Sequence, residues 1–165
     1  MNFRNAFAGA LVSLALFTGC AQKNSVNIIP LPQQMIVNSG SFTLDNNVSI
    51  AGNSQFEIDL LKEKLSTAAG IVLKNAGEGG KIIEINVDPG AGTKKEGYIL
   101  DVTPDKITIA ASDKAGAFYG VQTLMQLMPP AIYGKAQGGE NWSIPCVSIQ
   151  DWPRFGYREP SRIIG

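Results

Sequence analysis

The stretch that decides the fold is residues 98–127, YILDVTPDKITIAASDKAGAFYGVQTLMQL. Apolar residues alternate with other residues up to Val102 and again from Ile107, which is the period of strands that bury one face. Between them, residues 103–106 (TPDK) place proline at the second position of a type I turn. This stretch therefore predicts a β-hairpin that is followed directly by another secondary-structure element.

That further element is a predicted helix at residues 114–127. Ser112 or Asp113 precedes it as an N-cap, and a pair of prolines follows its last turn. Gly116 and Gly120 lie four residues apart on one helical face, where missing side chains let a neighbouring backbone approach closely. We expect this face to pack against a further part of the protein and to be exposed where that part is missing.

The rest of the chain extends this pattern. A second amphipathic helix is predicted at residues 56–69, with Ser54 as its cap and Gly70 as its end. An Asn-Ser-Gly turn is predicted to join the first two of the remaining strands. We predict an α+β fold, with an antiparallel or mixed sheet of about five to seven strands and two helices covering one face. The further strand patterns lie at residues 34–38, 41–44, 48–51, 83–87 and 142–150.

Composition limits the possible functions. A chain of 165 residues with 44% hydrophobic residues has material for one compact core. The 14 basic and 14 acidic side chains cancel and form no basic stripe, so nucleic acid is not expected as a partner. The chain has no histidine, the commonest metal ligand and proton shuttle. We expect neither a metal nor a cofactor.

Residues 1–20 have the pattern of a targeting segment. Arg4 precedes an apolar run at residues 6–17 that is too short to span a bilayer. The following FTGC, ending at Cys20, resembles a bacterial lipobox, in which the cysteine thiol is acylated. We expect Cys20 to be the lipid attachment site, with residues 21–25 as a tether. The protein would then be exported and anchored to a bacterial membrane, in the periplasm or at the cell surface; an ordinary signal peptide is the alternative.

Three other segments are candidates for a phosphate loop, a calcium loop and a nucleophile, but their residues do not match what these sites require. Residues 77–81 (GEGGK) have the glycines of a phosphate loop, but Ile82 stands where a Ser or Thr would hold magnesium. Asp88 lies in a turn without the spaced oxygen ligands of a calcium loop. Cys146 lies in an apolar stretch, which favours a buried, unreactive thiol over a nucleophile. These segments predict loops and core rather than sites.

Four segments occur in a fixed order: IPLPQ at 29–33, EGYIL at 96–100, DKAGAFYGVQTL at 113–124 and IQDWPRFGYR at 149–158. Together they resemble the N-terminal accessory domain of glycoside hydrolase family 20, the β-N-acetylhexosaminidases, and the entry to its catalytic barrel. The resemblance implies an accessory domain at residues 26–150, resting against a barrel of eight parallel strands. Residues 151–165 would be the truncated start of that barrel.

The resemblance also implies a reaction, the hydrolysis of terminal N-acetyl-D-hexosamine residues from glycans. In this family the acetamido oxygen of the substrate attacks the anomeric carbon, and an adjacent Asp-Glu pair on a later barrel strand assists. No Asp-Glu dipeptide occurs in this chain, so we expect no catalytic residue here and no activity of the chain alone. Arg158 matches the family arginine that binds hydroxyls of the terminal sugar; a surface arginine at a domain boundary is the alternative.

The resemblance ends directly after Arg158, where the chain continues as EPSRIIG. Pro160 in this segment lacks the N–H that a central strand would need. We therefore expect a truncated or frame-shifted part of a longer hexosaminidase. The alternative is a short form with its own role, a lipid-anchored, non-enzymatic module that binds a glycan or a protein.

Overall fold

The structure, a computed structural model, describes residues 26–134 and 140–155. The predicted signal peptide with Cys20 and the predicted sugar-binding Arg158 lie outside the described residues. The described elements are β1 (Gln34–Thr43), β2 (Val48–Gly52), α1 (Gln55–Ala69), β3 (Lys81–Val87), β4 (Tyr98–Val102), β5 (Lys106–Ala111), α2 (Lys114–Leu127), a 3₁₀ helix (Pro130–Tyr133) and β6 (Ser143–Asp151).

The strands form one six-stranded sheet in the order β1-β6-β4-β5-β3-β2. β3 pairs in parallel with β2 on one side and with β5 on the other, and β2, α1 and β3 form a βαβ unit. β4 pairs antiparallel with β5 and with β6, and β6 pairs antiparallel with β1. The predicted α+β class, with a mixed sheet and two helices, is therefore confirmed.

Both helices pack on one face of the sheet and enclose the core there. Along β5, Ile107, Ile109 and Ala111 are fully buried, whereas the residues between them are only half-buried. The predicted hairpin has its turn at residues 103–106, where the Thr103 N–H donates to the carbonyl oxygen of Lys106 at 2.9 Å. The period-two pattern of the sequence thus marks the face that the helices cover.

The predicted turn between residues 34–38 and 41–44 is wrong, because both segments belong to the single strand β1. Its pairing with β6 shifts register between Val37 and Ser41, so the Asn-Ser-Gly residues form a bulge rather than a turn. Gly40 has φ 97°, a left-handed conformation that favours glycine. β6 is nine residues long and pairs with β1 on both sides of the bulge, which holds the two parts in one strand.

Helix α1 begins and ends close to the predicted bounds, and Leu61, Leu65 and Ala68 of its apolar pattern are buried. Gly70 adopts φ 67° and ends the helix, and Ser54 is the N-cap residue. The Ser54 hydroxyl donates to a carboxylate oxygen of Glu57 at 2.6 Å instead of capping a backbone N–H. Phe56, the first residue of the predicted helix, is 67% exposed, whereas Ile58 is buried.

Helix α2 is capped by Asp113, whose side chain accepts from the Gly116 N–H at 2.9 Å. Its glycine face is not an exposed seam, and that expectation is corrected. Both glycines are buried within the domain itself, Gly116 against Gly97 and Ala111 and Gly120 against Ile109 and Tyr98. A methyl group on Gly116 would lie 2.2 Å from the carbonyl oxygen of Gly97, and one on Gly120 would lie 2.7 Å from Cγ2 of Ile109. At these positions α2 approaches Gly97 and strand β5 so closely that only hydrogen fits.

Candidate functional site

A groove of about 320 Å³ opens where β6 ends. Three parts of the chain form its walls: the segment before β1, one side of α2, and residues 151–154, which we call the exit segment. Its lining residues are Ile28, Pro30, Leu31, Glu96, Tyr98, Tyr119, Gln122, Thr123, Gln126, Asp151, Trp152, Pro153 and Arg154.

The floor of the groove is a buried pair of hydroxyl groups. The Tyr98 phenol, on β4, lies 2.6 Å from the Thr123 hydroxyl of α2. Burial raises the pKa of Tyr98 to about 12; the hydrogen bond with Thr123 opposes this rise, and the negative charge of Asp151 adds to it. The phenol is therefore neutral at physiological pH and serves as a hydrogen-bonding group rather than as a base.

The segment before β1 fastens the exit segment to the domain. The Gln33 N–H donates to Oδ1 of Asp151 at 3.1 Å, and its side-chain amide lies 3.5 Å from the carbonyl oxygen of Trp152. Nη2 of Arg154 donates to the carbonyl oxygen of Leu31 at 3.1 Å. Two distant parts of the sequence thus meet at one edge of the groove, more than a hundred residues apart along the chain.

The rim of the groove exposes large apolar side chains. Leu31 lines the groove and is 63% exposed. Ile29 precedes the lining residue Pro30 and is 81% exposed, and Phe155 follows Arg154 and is 82% exposed. Exposed apolar side chains are typical of surfaces on which another protein part packs.

Two carboxylates at or near the groove, those of Asp151 and Asp113, are hydrogen-bonded to the domain's own backbone. Asp151 accepts from Gln33, as described above, and Asp113 accepts from the N–H groups of Gly116 and Glu96 at 2.9 and 2.8 Å. Burial acts to raise the pKa of Asp113, but these backbone N–H donors outweigh it and hold that pKa below its usual value. These two acids stabilise the fold.

The remaining candidates from the sequence lie away from the groove. Cys146 is buried as predicted, and burial raises the pKa of its thiol, which lowers its reactivity. Within residues 26–134 and 140–155, no three side chains of His, Cys, Asp or Glu come together as a metal site. In the same ranges, no helix has the length and apolar character that crossing a bilayer requires.

The four sequence segments that carried the resemblance meet at this groove. Its lining takes residues from 29–33, from 96–100, from 113–124 and from 149–158. Sequence reasoning named the segments but did not place them together. Only their shared resemblance pointed to a common site, because gaps of up to 62 residues separate consecutive segments along the chain.

Comparison with known proteins decides the family. The sequence profile of glycosyl hydrolase family 20, domain 2, matches residues 25–152. The chain belongs to this family. The accessory domain predicted from the four segments is thus confirmed at the level of the family.

Relatives of this family 20 domain are β-hexosaminidases. The chain is 33% identical over 172 residues to one from Porphyromonas gingivalis, covering 94% of the chain and 22% of the relative. It is 36% identical over 138 residues to one from Vibrio vulnificus, covering 81% of the chain and 14% of the relative. The chain therefore spans less than a quarter of the length of either relative.

A solved structure shows the same fold. A mutant Streptomyces plicatus β-hexosaminidase, in complex with its product GlcNAc, superposes with a TM-score of 0.65 at 30% identity. The match covers 79% of this chain and 27% of the solved chain. The family 20 domain thus corresponds to one part of a larger enzyme in these relatives.

Proposed function

We propose that this chain is the non-catalytic part of a β-N-acetylhexosaminidase, and that its groove is the surface on which the rest of the enzyme packs. The enzyme as a whole would remove terminal N-acetyl-D-hexosamine residues from glycans. This domain would support the catalytic part, and it would contribute Arg158 at most to the binding of the sugar.

The observation that carries the proposal is the convergence of the four family-like segments on one groove. Three large apolar side chains that are more than 60% exposed belong to the segments that line it, Leu31 in the lining itself and Ile29 and Phe155 next to lining residues. Burying a Leu or Phe stabilises a protein by roughly 1.5–3 kcal/mol. A surface that leaves three such side chains in water is suited to contact with a further protein part.

A second observation supports the absence of activity. Asp113 and Asp151 near the groove are hydrogen-bonded to backbone N–H groups, and the adjacent Asp-Glu pair that the family uses is missing from the sequence. A positioned general acid contributes roughly 10²–10⁴ in rate. Without it, and without preorganised charge stabilisation, sugar binding alone does not lower the barrier.

The test is hydrolysis of a chromogenic N-acetylglucosaminide by the purified chain, produced in a host without hexosaminidases. We expect no turnover above the buffer blank, with the β-hexosaminidase of Porphyromonas gingivalis as the positive control. Saturable turnover that disappears in Arg158→Ala would show that these residues assemble a working site, and the proposal would be abandoned.

We also propose that the protein is exported and anchored to a bacterial membrane through lipid on Cys20. The support is the basic residue, the short apolar run and the FTGC sequence at residues 4–20. Lipid contributes about 0.8 kcal/mol per buried methylene, so the several chains of a bacterial lipoprotein hold it stably. Cys20→Ser should move the protein from the detergent phase to the aqueous phase. Equal partitioning of the variant and its parent would contradict the proposal.

A further inference from the structure

The exit segment contacts the segment before β1, as described above, and it also contacts the loop at residues 94–97, which we call the exit loop. Nζ of Lys94 lies 4.1 Å from the ring centroid of Trp152 and covers one face of that ring. A methyl group on Gly97 would lie 3.1 Å from the carbonyl oxygen of Asp151 and 3.2 Å from Cβ of Trp152. The exit loop and the exit segment are therefore in close contact.

The exit loop is itself fastened to the start of α2. Oδ2 of Asp113 accepts from the Glu96 N–H at 2.8 Å, while Oδ1 of the same carboxylate caps the helix. The Ser112 hydroxyl donates to the carbonyl oxygen of Lys94 at 2.8 Å. The close approach of Gly116 to the carbonyl of Gly97 leaves the loop no room to move toward the helix.

The backbone of the exit loop is unusual as well. Glu96 has φ 57°, a left-handed conformation that side chains other than glycine adopt at a cost. The Gly97 N–H donates to the carbonyl oxygen of Lys94 at 2.8 Å and closes a tight turn. Surrounding contacts must hold such a conformation, and the bond from Glu96 to Asp113 is one of them.

We propose that Asp113, acting through the exit loop, positions the exit segment and so sets the direction in which the chain leaves this domain. The inference rests on the proposed function, because a defined exit matters where a further part of the protein packs on the groove. Asp113 has two roles, the capping of α2 and the fixing of the exit loop. It is a positioning residue, not a catalytic one.

The test measures Trp152 in the full chain, with Trp142→Phe as background so that one tryptophan remains. Acrylamide quenching of its emission reports exposure, and a neutral quencher is insensitive to the lost charge of Asp113. In Asp113→Ala we expect the quenching constant to rise toward that of free tryptophan while the chain stays folded by circular dichroism. Ser54→Ala, which removes the buried hydrogen bond to Glu57 at the start of α1 instead, should leave the constant unchanged.

A second pair of variants tests the exit loop and its contact together. Gly97→Ala inserts a methyl group 2.8 Å from the carbonyl oxygen of Lys94 in the exit loop and 3.1 Å from that of Asp151 in the exit segment, whereas Gly120→Ala inserts one between α2 and Ile109. Both should lower the melting temperature, but only Gly97→Ala should raise the quenching of Trp152. If Gly97→Ala does not fold, Asp113→Ala decides the question.

Unchanged quenching in folded Asp113→Ala overturns the inference. An equal rise of the quenching constant in Ser54→Ala or Gly120→Ala also overturns it. Exposure of Trp152 would then follow from any loss of stability and not from the exit loop. These outcomes are independent of hexosaminidase activity, so failure of the inference is distinguishable from failure of the proposed function.

Discussion

At the scale of single residues, Tyr98 links stability to pH. Its pKa is raised to about 12 in the folded protein, above its ordinary value of 10.0, so folding favours the neutral phenol. This stabilisation is fully present below pH 10 and is lost as the pH rises from 10 to about 12. In urea unfolding, we expect the parent to lose more stability across this interval than Tyr98→Phe does.

The same substitution has an effect at neutral pH. It leaves the buried Thr123 hydroxyl without its partner, which should lower the free energy of unfolding by about 1 kcal/mol. Thr123→Val in the Tyr98→Phe background is the matched control, because it removes the unpaired hydroxyl and should recover part of the loss. Equal alkaline destabilisation of parent and Tyr98→Phe would contradict the assignment of the pH effect to this phenol.

At the scale of secondary-structure elements, α1 is held by one narrow face. Leu61 and Leu65 are fully buried between the helix and the sheet, whereas Phe56 lies at the start of the helix and is 67% exposed. Leu61→Ala should lower the free energy of unfolding by about 2–5 kcal/mol, because it leaves a cavity in the core. Phe56→Ala should change it by no more than about 0.5 kcal/mol. Chemical denaturation compares the two, and a similar loss in both would show that α1 packs on a different face.

At the scale of the whole molecule, the apolar rim of the groove should bind hydrophobic dye. Leu31 contributes to the groove and is 63% exposed, so we expect Leu31→Asp to reduce the dye fluorescence of the purified chain. Val72, which is 64% exposed but lies outside the groove lining, provides the control Val72→Asp. Equal dye binding by the parent and Leu31→Asp would contradict the proposal that the rim of the groove is the packing surface.

The sequence by itself determined the elements and the family. Alternating apolar residues fixed the hairpin of β4 and β5, and Asp113 and Gly70 marked helix ends, because capping and strand periodicity are local properties. The four segments were sufficient to identify an accessory domain of family 20, since their residues and order are visible without coordinates.

Only the tertiary structure decided what those residues contact. Local patterns predicted a turn in β1, but pairing with β6 on both sides of Gly40 makes a bulge. Local spacing predicted that the Gly116 face packs against a further part of the protein, which is wrong, because the fold places the backbone of Gly97 there. The groove, the exit loop and the second role of Asp113 depend on contacts between distant residues. Such contacts follow from how the whole sheet packs, so no single stretch of sequence contains them.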